Sequence, residues 1–568
     1  MALGIAQRLG LPEIVGRLLA ARNVGIEDAA SFLDPTLRAL LPDPSALADM
    51  DVAAERLAHA VRHGETVGVF GDYDVDGAAS STLMIGLLRG LGCTVVYHVP
   101  DRLTEGYGPN GPALRALVAQ GTRLIVCVDC GTAAADALAV VHNQADVIVL
   151  DHHKIEDAPP PIRATVNPNR LDDSSGMGML CATAVAFLTA VAVIRTLRRQ
   201  GFFQTRPEPD LLGLLDLVAL ATVCDVMPLT GLNRALVTQG LKVMARRSRP
   251  GIAALLDVAQ AKDRPTAFTC GFALGPRINA AGRISEADLG VRLLLCNDEL
   301  EARSLAATLD AVNRQRQEVE LSMLDTAMRE AERQSEEGNA TLLVAGADWH
   351  PGVVGIVAGR IKERFNRPTC VAAIADGIAK GSGRSVSGID LGGAVIAARQ
   401  LGILLSGGGH AMAAGFSLDA GRLADFHAFL NERLAAAALL PAAADLAIEA
   451  TLSVPGATTE LAQQLLHLAP FGNGNEEPVF VLPRARVIRA DRIGREGATI
   501  RAFVEGEGGG PRLKTLMFRA REGALSDALM NRDGVALNLA GHLRAEEWNG
   551  KVTAGFFISD AAVAGVIG

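Results

Sequence analysis

Three carboxylates at alternate positions, Asp72, Asp74 and Asp76, lie within Gly71-Asp72-Tyr73-Asp74-Val75-Asp76-Gly77. Such crowding needs a cation, because like charges a few ångströms apart repel unless protons or metals neutralise them, and hard oxygen ligands suit Mg, Mn or Ca. Asp-x-Asp-x-Asp-Gly also opens calcium loops of the EF-hand type. Counted from Asp72, the twelfth position of such a loop should be a bidentate Glu and is Leu83. The run before it, residues 66–70, is β-rich where a helix should stand. The other reading is a carboxylate cluster at the carboxyl end of a first strand, where open α/β sheets place their ligands, with a helix over 78–91 following.

The elements that must position these groups follow a β, α, β, α pattern. Strand-like runs at 66–70, 93–99, 123–128 and 146–150 alternate with helical segments at roughly 25 to 30 residue intervals, as βαβ units of a parallel sheet do. Three of the four runs end in metal-binding chemistry: Asp74 and Asp76 after the first, Asp129 after the third, Asp151-His152-His153 after the fourth. A further acid, Asp225, follows the helical run 211–224. Singly, each is explained as a helix cap or a surface loop. Together they converge, since successive strand ends lie along one edge of a parallel sheet. Carboxylates with imidazole favour Mn or Mg over Zn, and a shared carboxylate can hold two such ions about 3.5 to 4 Å apart.

At 568 residues the chain exceeds one hydrophobic core, and about 150 residues per domain predicts three or four domains. The net charge of −9 argues against a uniformly basic nucleic-acid coat but leaves room for a local basic channel. The eight cysteines are scattered and several sit in apolar runs, as small core residues of a reducing cytoplasm do. Cys127 and Cys130 form a lone pair with no second pair at zinc spacing. Residues 1–22 lack the features of a secretory signal. Residues 177–194 carry no charge and reach the minimal length of a membrane span. Their alanines and threonines weaken the transfer free energy, so a buried helix is expected and no membrane association.

In order and spacing, Gly71 to Gly77, Val128-Asp129-Cys130-Gly131 and Asp151-His152-His153 resemble the motifs of the DHH phosphoesterase superfamily. The rest of the chain is similar to that superfamily's single-strand-specific 5′ to 3′ DNA exonucleases. The likeness rests on Pro100-Asp101-Arg102 with Glu105-Gly106-Tyr107-Gly108, Pro276-Arg277-Ile278-Asn279 through Arg283, Trp349-His350-Pro351-Gly352, and Gly407-Gly408-Gly409-His410. The resemblance implies that Asp74, Asp76, Asp129, His152 and Asp225 hold two divalent cations, Mn2+ or Mg2+, with Asp129 as the bridge. His153 would face the phosphate, and Asp72 would either bind metal or orient its neighbours. Arg102, Arg277, Asn279, Arg283 and His350 would contact substrate. For the stretch 276–283, the alternative is a turn that only exposes charge.

Residues 286–334 read as helical, with a break and cap at Asn297-Asp298. A second α/β unit follows and resembles the DHHA1 domain. Its loop Lys380-Gly381-Ser382-Gly383-Arg384-Ser385 and its glycine run ending in His410 would offer backbone N–H groups and a bidentate Arg to an anion. Ser382, Arg384 and His410 are therefore expected at the DNA backbone or 5′-phosphate. Short β-rich runs at 479–482, 499–504, 513–518 and 535–541 suit a small barrel, an OB-fold by resemblance. There Arg484, Arg486, Arg512, Lys514 and Arg519 would track phosphates, with Phe503 or Phe518 for stacking.

The expected architecture is an α/β protein: a parallel-sheet DHH catalytic domain (61–285) after an N-terminal helical extension packed on it (1–60), connecting helices (286–337), a DHHA1 domain (338–440) and an OB-fold (445–568). The expected function is a two-metal exonuclease, degrading single-stranded DNA from the 5′ end in DNA repair and recombination. It would be a cytoplasmic monomer, with single-strand-binding protein and a helicase as partners. Two other readings are a DHH/DHHA1 phosphodiesterase of short oligonucleotides or cyclic dinucleotides, and a non-catalytic DNA-bound scaffold. The first group is shorter and lacks the barrel; the second should have lost metal ligands.

Overall fold

The computed structural model of the protein describes residues 1–155, 157–438, 446–494, 497–520, 522–530, 535–548 and 550–565. The expected bounds at 440, 445 and 568 fall outside these residues. The chain forms two compact units, one of Asp43–Asp225 with Gly240–Ala444, the other of Met1–Pro42, Val226–Gln239 and Asp445–Gly568.

The first of these carries the carboxylate motifs. Five strands, β1 (Thr66–Phe70), β2 (Thr94–His98), β3 (Leu124–Val128), β4 (Asp146–Leu150) and β5 (Ala164–Val166), form a sheet in the order β2-β1-β3-β4-β5. Every pairing is parallel. β3 is buried at each position, which is why it reads as an unbroken apolar run rather than an alternating one. Three-residue β5 is too short to show a period. The chain leaves β1 on one side to make β2 and returns on the other side as β3. The strand order thus reverses between β1 and β3, the position where open α/β sheets form a crevice at their carboxyl ends.

Helix Ala182–Arg199 is buried over nearly its whole length, as expected for 177–194. Among the described residues no helix is long and apolar enough to cross a membrane. All eight cysteines are free, seven of them buried. The stretch 276–283 is not a turn: a π-helical segment, Thr269–Leu274, runs directly into helix Gly275–Ile284. Pro276 is accommodated in the first turn, where its missing N–H is not needed. The connecting region is helical as expected, Leu289–Leu295 and then Glu299–Glu336. The Asp298 carboxylate accepts from the Glu301 N–H at 2.8 Å and caps the second helix.

A second sheet in this unit contains β6 (Leu342–Ala347), β7 (Thr369–Ala375), β8 (Ile378–Arg384), β9 (Ser406–His410) and β10 (Ala413–Asp419), ordered β6-β7-β8-β10-β9. The expected loop Lys380 to Ser385 falls largely in strand β8, and the glycine run ending in His410 lies in β9. Their glycines serve close packing as well as backbone exposure. A Cβ on Gly381 would come within 2.2 Å of the Phe416 ring, and one on Gly383 within 2.6 Å of Leu391.

The other unit is organised around β11 (Ala450–Thr451), β12 (Phe480–Ile493), β13 (Thr499–Glu505), β14 (Leu513–Phe518), β15 (Ala536–Trp548) and β16 (Lys551–Val563). β12 pairs with both β13 and β15, which closes the sheet into a barrel. β12 runs well past the expected stretch, and its ladder to β15 shifts register between Leu482 and Ala485. Pro483, which cannot donate to a ladder, sits in that irregularity. The N-terminal extension differs from expectation. Ile5, Val15, Leu18 and Leu19 share one core with Phe480, Leu482, Val504 and Phe556 of the barrel, whereas helix Met50–His63 belongs with the parallel sheet. An amphipathic pattern shows that a face is buried without naming what buries it.

Candidate metal centre and anion site

Seven groups from five places in the chain meet at the carboxyl ends of β1, β3 and β4. The segment after β1 supplies Asp72 and Asp74, and Asp76 sits in the first turn of helix Val75–Gly90. Asp129 follows β3 in a left-handed conformation, φ 59°, a strained state for a non-glycine residue that persists only where its surroundings impose it. His152 and His153 follow β4, and Asp225 caps the end of helix Leu215–Cys224. His152 Nε2 lies 3.4 Å from Asp129 Oδ1, 3.5 Å from Asp225 Oδ2 and 3.8 Å from Asp76 Oδ2. Three overlapping groups could each hold an ion: Asp72 with Asp74 and Asp129; Asp76 with His152 and Asp225; Asp129 with His152 and His153.

The local structure aims these side chains. Both oxygens of Asp76 accept backbone N–H bonds from the start of helix Ala182–Arg199, Ala182 at 2.7 Å and Thr183 at 2.8 Å, and the Thr183 hydroxyl donates at 2.5 Å. Asp74 Oδ1 caps its own helix by accepting from the Gly77 N–H. Gly77 itself is required by space, since a Cβ there would stand 2.4 Å from the Asp72 carbonyl oxygen.

Burial and like charge dominate the electrostatics. The Asp129 carboxyl is pushed well above the usual range by burial and then by Asp76, Asp74, Asp72 and Asp151. Asp72 is raised by burial and then by Asp74. Asp225 is pushed up to about 8 by burial and the charges of Asp76 and Asp74. Burial lowers His152. Meanwhile Asp72 Oδ1, Asp129 Oδ1 and Asp225 Oδ2 are buried and accept no hydrogen bond. Buried acceptors without donors are costly unless a cation takes their place. The donor set of carboxylates and one or two imidazoles therefore fits Mn2+ or Mg2+.

Beside this cluster stand three arginines. Arg102 lies over the Tyr73 ring at 4.8 Å. Arg283, on helix Gly275–Ile284, donates to the Gly352 carbonyl at 3.0 Å, and Arg384, on β8, donates to the Ser382 hydroxyl at 2.8 Å. Arg283 is lowered to about 10 by burial and by the charges of Arg102 and Arg384; Arg384 is lowered by burial and by Arg102. None of the three forms an ion pair among the described residues. Cations gathered without a counter-ion make an anion site. Ser382 joins this group through Arg384. His350 stays close, its Nδ1 accepting from the Gly352 N–H at 3.1 Å, with its pKa lowered by burial. Asn279 accepts from the Val75 N–H at 3.2 Å and so braces the carboxylate segment. Arg277 is instead held by Asp310 at 2.9 Å and the Ala273 carbonyl. His410 is exposed on the edge strand β9.

Comparison with known proteins accounts for both lobes and the barrel. Residues 66–222 match the DHH family, N-terminal domain, residues 339–436 the DHHA1 domain, and residues 448–560 the RecJ OB domain. The single-stranded-DNA-specific exonucleases RecJ of Dickeya dadantii and Escherichia coli are each 39% identical, over 560 and 557 residues, with 95% of this chain and 94% of each relative covered. The chain belongs to the RecJ family. RecJ from Thermus thermophilus, whose crystal structure was determined in complex with Mn2+, is similar with a TM-score of 0.81 at 30% identity, covering 99% of this chain and 77% of that one.

Several residues shape this RecJ-family site in ways that sequence reasoning does not assign: Asp151 reads there only as part of its motif, and Asn167, Asn169 and Tyr107 carry no role. Asp151 is buried and fixes the motif that it opens: it accepts from the N–H groups of His152 and His153, from Thr132, and pairs with His153 Nδ1 at 2.8 Å. Asn169 donates to the His152 carbonyl at 2.6 Å and Asn167 to the His153 carbonyl at 2.9 Å. Tyr107 donates to the Asp129 carbonyl at 3.0 Å and lies 3.1 Å from His153 Nδ1. Tyr107 stands in a stretch noted for its likeness alone, and Asn167 and Asn169 follow the strand too short to detect. On the barrel, Arg484 pairs with Glu507, Arg512 with Glu505 at 2.8 Å and Lys514 with Glu546 at 2.7 Å. Arg486 and Arg519 are exposed, and Phe518 is 58% exposed.

Proposed function

We propose that the protein is a single-stranded-DNA-specific exonuclease that uses two divalent cations, Mn2+ or Mg2+, and removes nucleotides from the 5′ end. The observation that carries this reading is the buried carboxylate and imidazole cluster with orphaned oxygens, set beside three arginines without counter-ions. Asp74, Asp76, Asp129, His152 and Asp225 would hold the ions, with Asp129 between them and Asp72 in direct contact or one step behind. When bound, the ions supply Lewis acidity that acidifies an attacking water and offsets charge on the phosphate and the leaving 3′-oxygen.

The chain's own residues do the rest. His153, whose Nδ1 pairs with Asp151 at 2.8 Å, faces the phosphate and donates to one of its oxygens. Arg102, Arg283 and Arg384 with Ser382 hold a terminal phosphate, which sets polarity by fixing the strand's end a short way from the scissile bond. His350 and His410 complete the strand contacts, Asn279 braces the carboxylate segment, Arg277 is held by Asp310, and the barrel holds incoming DNA. The retained carboxylates argue against a scaffold, and the RecJ OB domain argues against a short-oligonucleotide phosphodiesterase. A cytoplasmic monomer working with single-strand-binding protein and a helicase belongs to the same proposal, as do the domain bounds given above, save that of the N-terminal extension, whose residues 1–42 group with the barrel.

The test is digestion of one oligonucleotide labelled at either end, single-stranded or duplex, with Mn2+ or Mg2+, beside Asp129→Asn. Metal-dependent shortening of the single strand from its 5′ end, lost in the variant by more than the roughly 10 to 100-fold that outer orienting groups are worth, is the expected result. Shortening from the 3′ end, or activity retained in folded Asp129→Asn, overturns it.

A further inference from the structure

Two phenyl rings on the catalytic unit stand largely exposed. Phe268 and Phe272 are 69% and 71% exposed, and their rings stack on each other with centroids 4.8 Å apart and 23° between planes. Single exposed apolar residues need no explanation, but a preassembled aromatic pair in water marks a surface built to be covered.

The pair is held rigidly. It projects from the π-helical segment Thr269–Leu274, whose inner face is anchored by fully buried Cys270 and Leu274. The Cys224 thiol donates to the Cys270 carbonyl at 3.4 Å. Gly275 leaves room for that sulfur, since a Cβ there would come within 2.5 Å of it. The segment therefore rests on the helix end that delivers Asp225 to the metal cluster. A π-helical turn is rare, costs regular hydrogen bonding and recurs at functional positions.

Charge selects the occupant. Just before the pair the chain carries Lys262 and Arg264 against a single acid, Asp263, within a protein of net charge −9. Lys262 and Arg264 are exposed and form no ion pair among the described residues. Flat apolar faces flanked by free cations fit a polyanion that carries flat rings, which is single-stranded nucleic acid. A protein's aliphatic anchor would use the rings but not the cations.

We propose that Phe268 and Phe272 form a base-stacking platform for the substrate strand, outside the metal and terminal-phosphate groups. This rests on the single-strand exonuclease reading. The strand would stack one or more bases on the phenyl pair while Lys262 and Arg264 meet its phosphates, so strands long enough to reach the platform are held better than very short ones.

The test is steady-state cleavage of a long and a very short oligonucleotide by wild type, Phe268→Ala/Phe272→Ala and Phe268→Leu/Phe272→Leu, each checked for native thermal unfolding. Both variants should raise KM on the long strand about fivefold or more, the lower end of what one stacked base is worth, with kcat retained. An abasic strand should cost wild type the same factor and the variants nothing further. A Phe272→Trp protein should show fluorescence quenching when an unlabelled strand is added without divalent metal. An unchanged KM in the Ala variant, wild-type KM restored by Leu, or no quenching overturns the platform. A wild type that fails to cut single strands in the same assay would instead sink the underlying exonuclease reading. A patch that serves a protein partner would leave all DNA readouts unchanged.

Discussion

His153 Nδ1 lies 2.8 Å from Asp151 Oδ1, and each holds the other's protonation state away from its ordinary value. Burial raises Asp151, but the bond to His153, its charge and the Thr132 hydrogen bonds outweigh it and keep the carboxyl below the usual range. His153 is correspondingly held up at about 9. Asp151→Asn removes the charge while keeping the shape, so burial should then pull His153 below its present value. Activity should fall about 10 to 100-fold, and the alkaline limb of the pH-rate profile should move to lower pH. A profile limb that stays in place would remove His153 from the role of phosphate donor.

The buried carboxylates make the metal-free protein pH-sensitive in an unusual direction. Asp225 titrates near 8 in the fold and near 4 in the unfolded chain, so between those values the folded state binds the extra proton and stability falls as pH rises. Asp72 and Asp129 are shifted the same way. His153, raised to about 9, adds a loss of stability as pH rises from about 6.5 to 9. His152, lowered by burial, opposes the trend only below about 6.5. In chelator, Tm should therefore drop from pH 6.5 to pH 8. Metal needs the deprotonated ligands, so the rise in Tm on adding Mn2+ should grow over the same interval. Calorimetry with and without metal at several pH values measures both.

Arg384 reaches the Ser382 hydroxyl and the Gly383 carbonyl and, among the described residues, no carboxylate, so its charge is available to substrate. Arg384→Ala should weaken binding of 5′-phosphorylated strands by roughly 1.5 to 3 kcal/mol, the worth of a charge-assisted contact. Strands with a 5′-hydroxyl should lose much less. Equal losses on the two substrates, read by competition binding, would reduce Arg384 to a general backbone contact.

Deleting residues 479–568 to test the barrel would strip Ile5, Val15, Leu18 and Leu19 of their core partners, so the truncated chain should aggregate whatever the barrel does. Leu18→Ala is cleaner. It should destabilise the barrel unit by about 2 to 5 kcal/mol, seen as faster hydrogen exchange in β12 and β15, while protection of β1, β3 and β4 is unchanged.

Residue type and spacing pointed to the carboxylates and histidines that the fold brings together, because alternation of β and α segments places successive strand ends on one sheet edge. The same held for the cap at Asp298 and the burial of helix Ala182–Arg199, which depend on nearby residues. What only the tertiary structure decided was which distant surfaces meet. The order β2-β1-β3-β4-β5 puts the chain reversal between the strands that precede Asp74 and Asp129, and no periodicity encodes strand order. The N-terminal helices pack with the barrel, since an apolar stripe fits any complementary face. Arg277 is held by Asp310 and Arg484 by Glu507, while Arg102, Arg283 and Arg384 form no ion pair among the described residues. A basic residue is identical in sequence whether or not an acid lies opposite it, so only the packed chain could separate the paired cations from the unpaired ones.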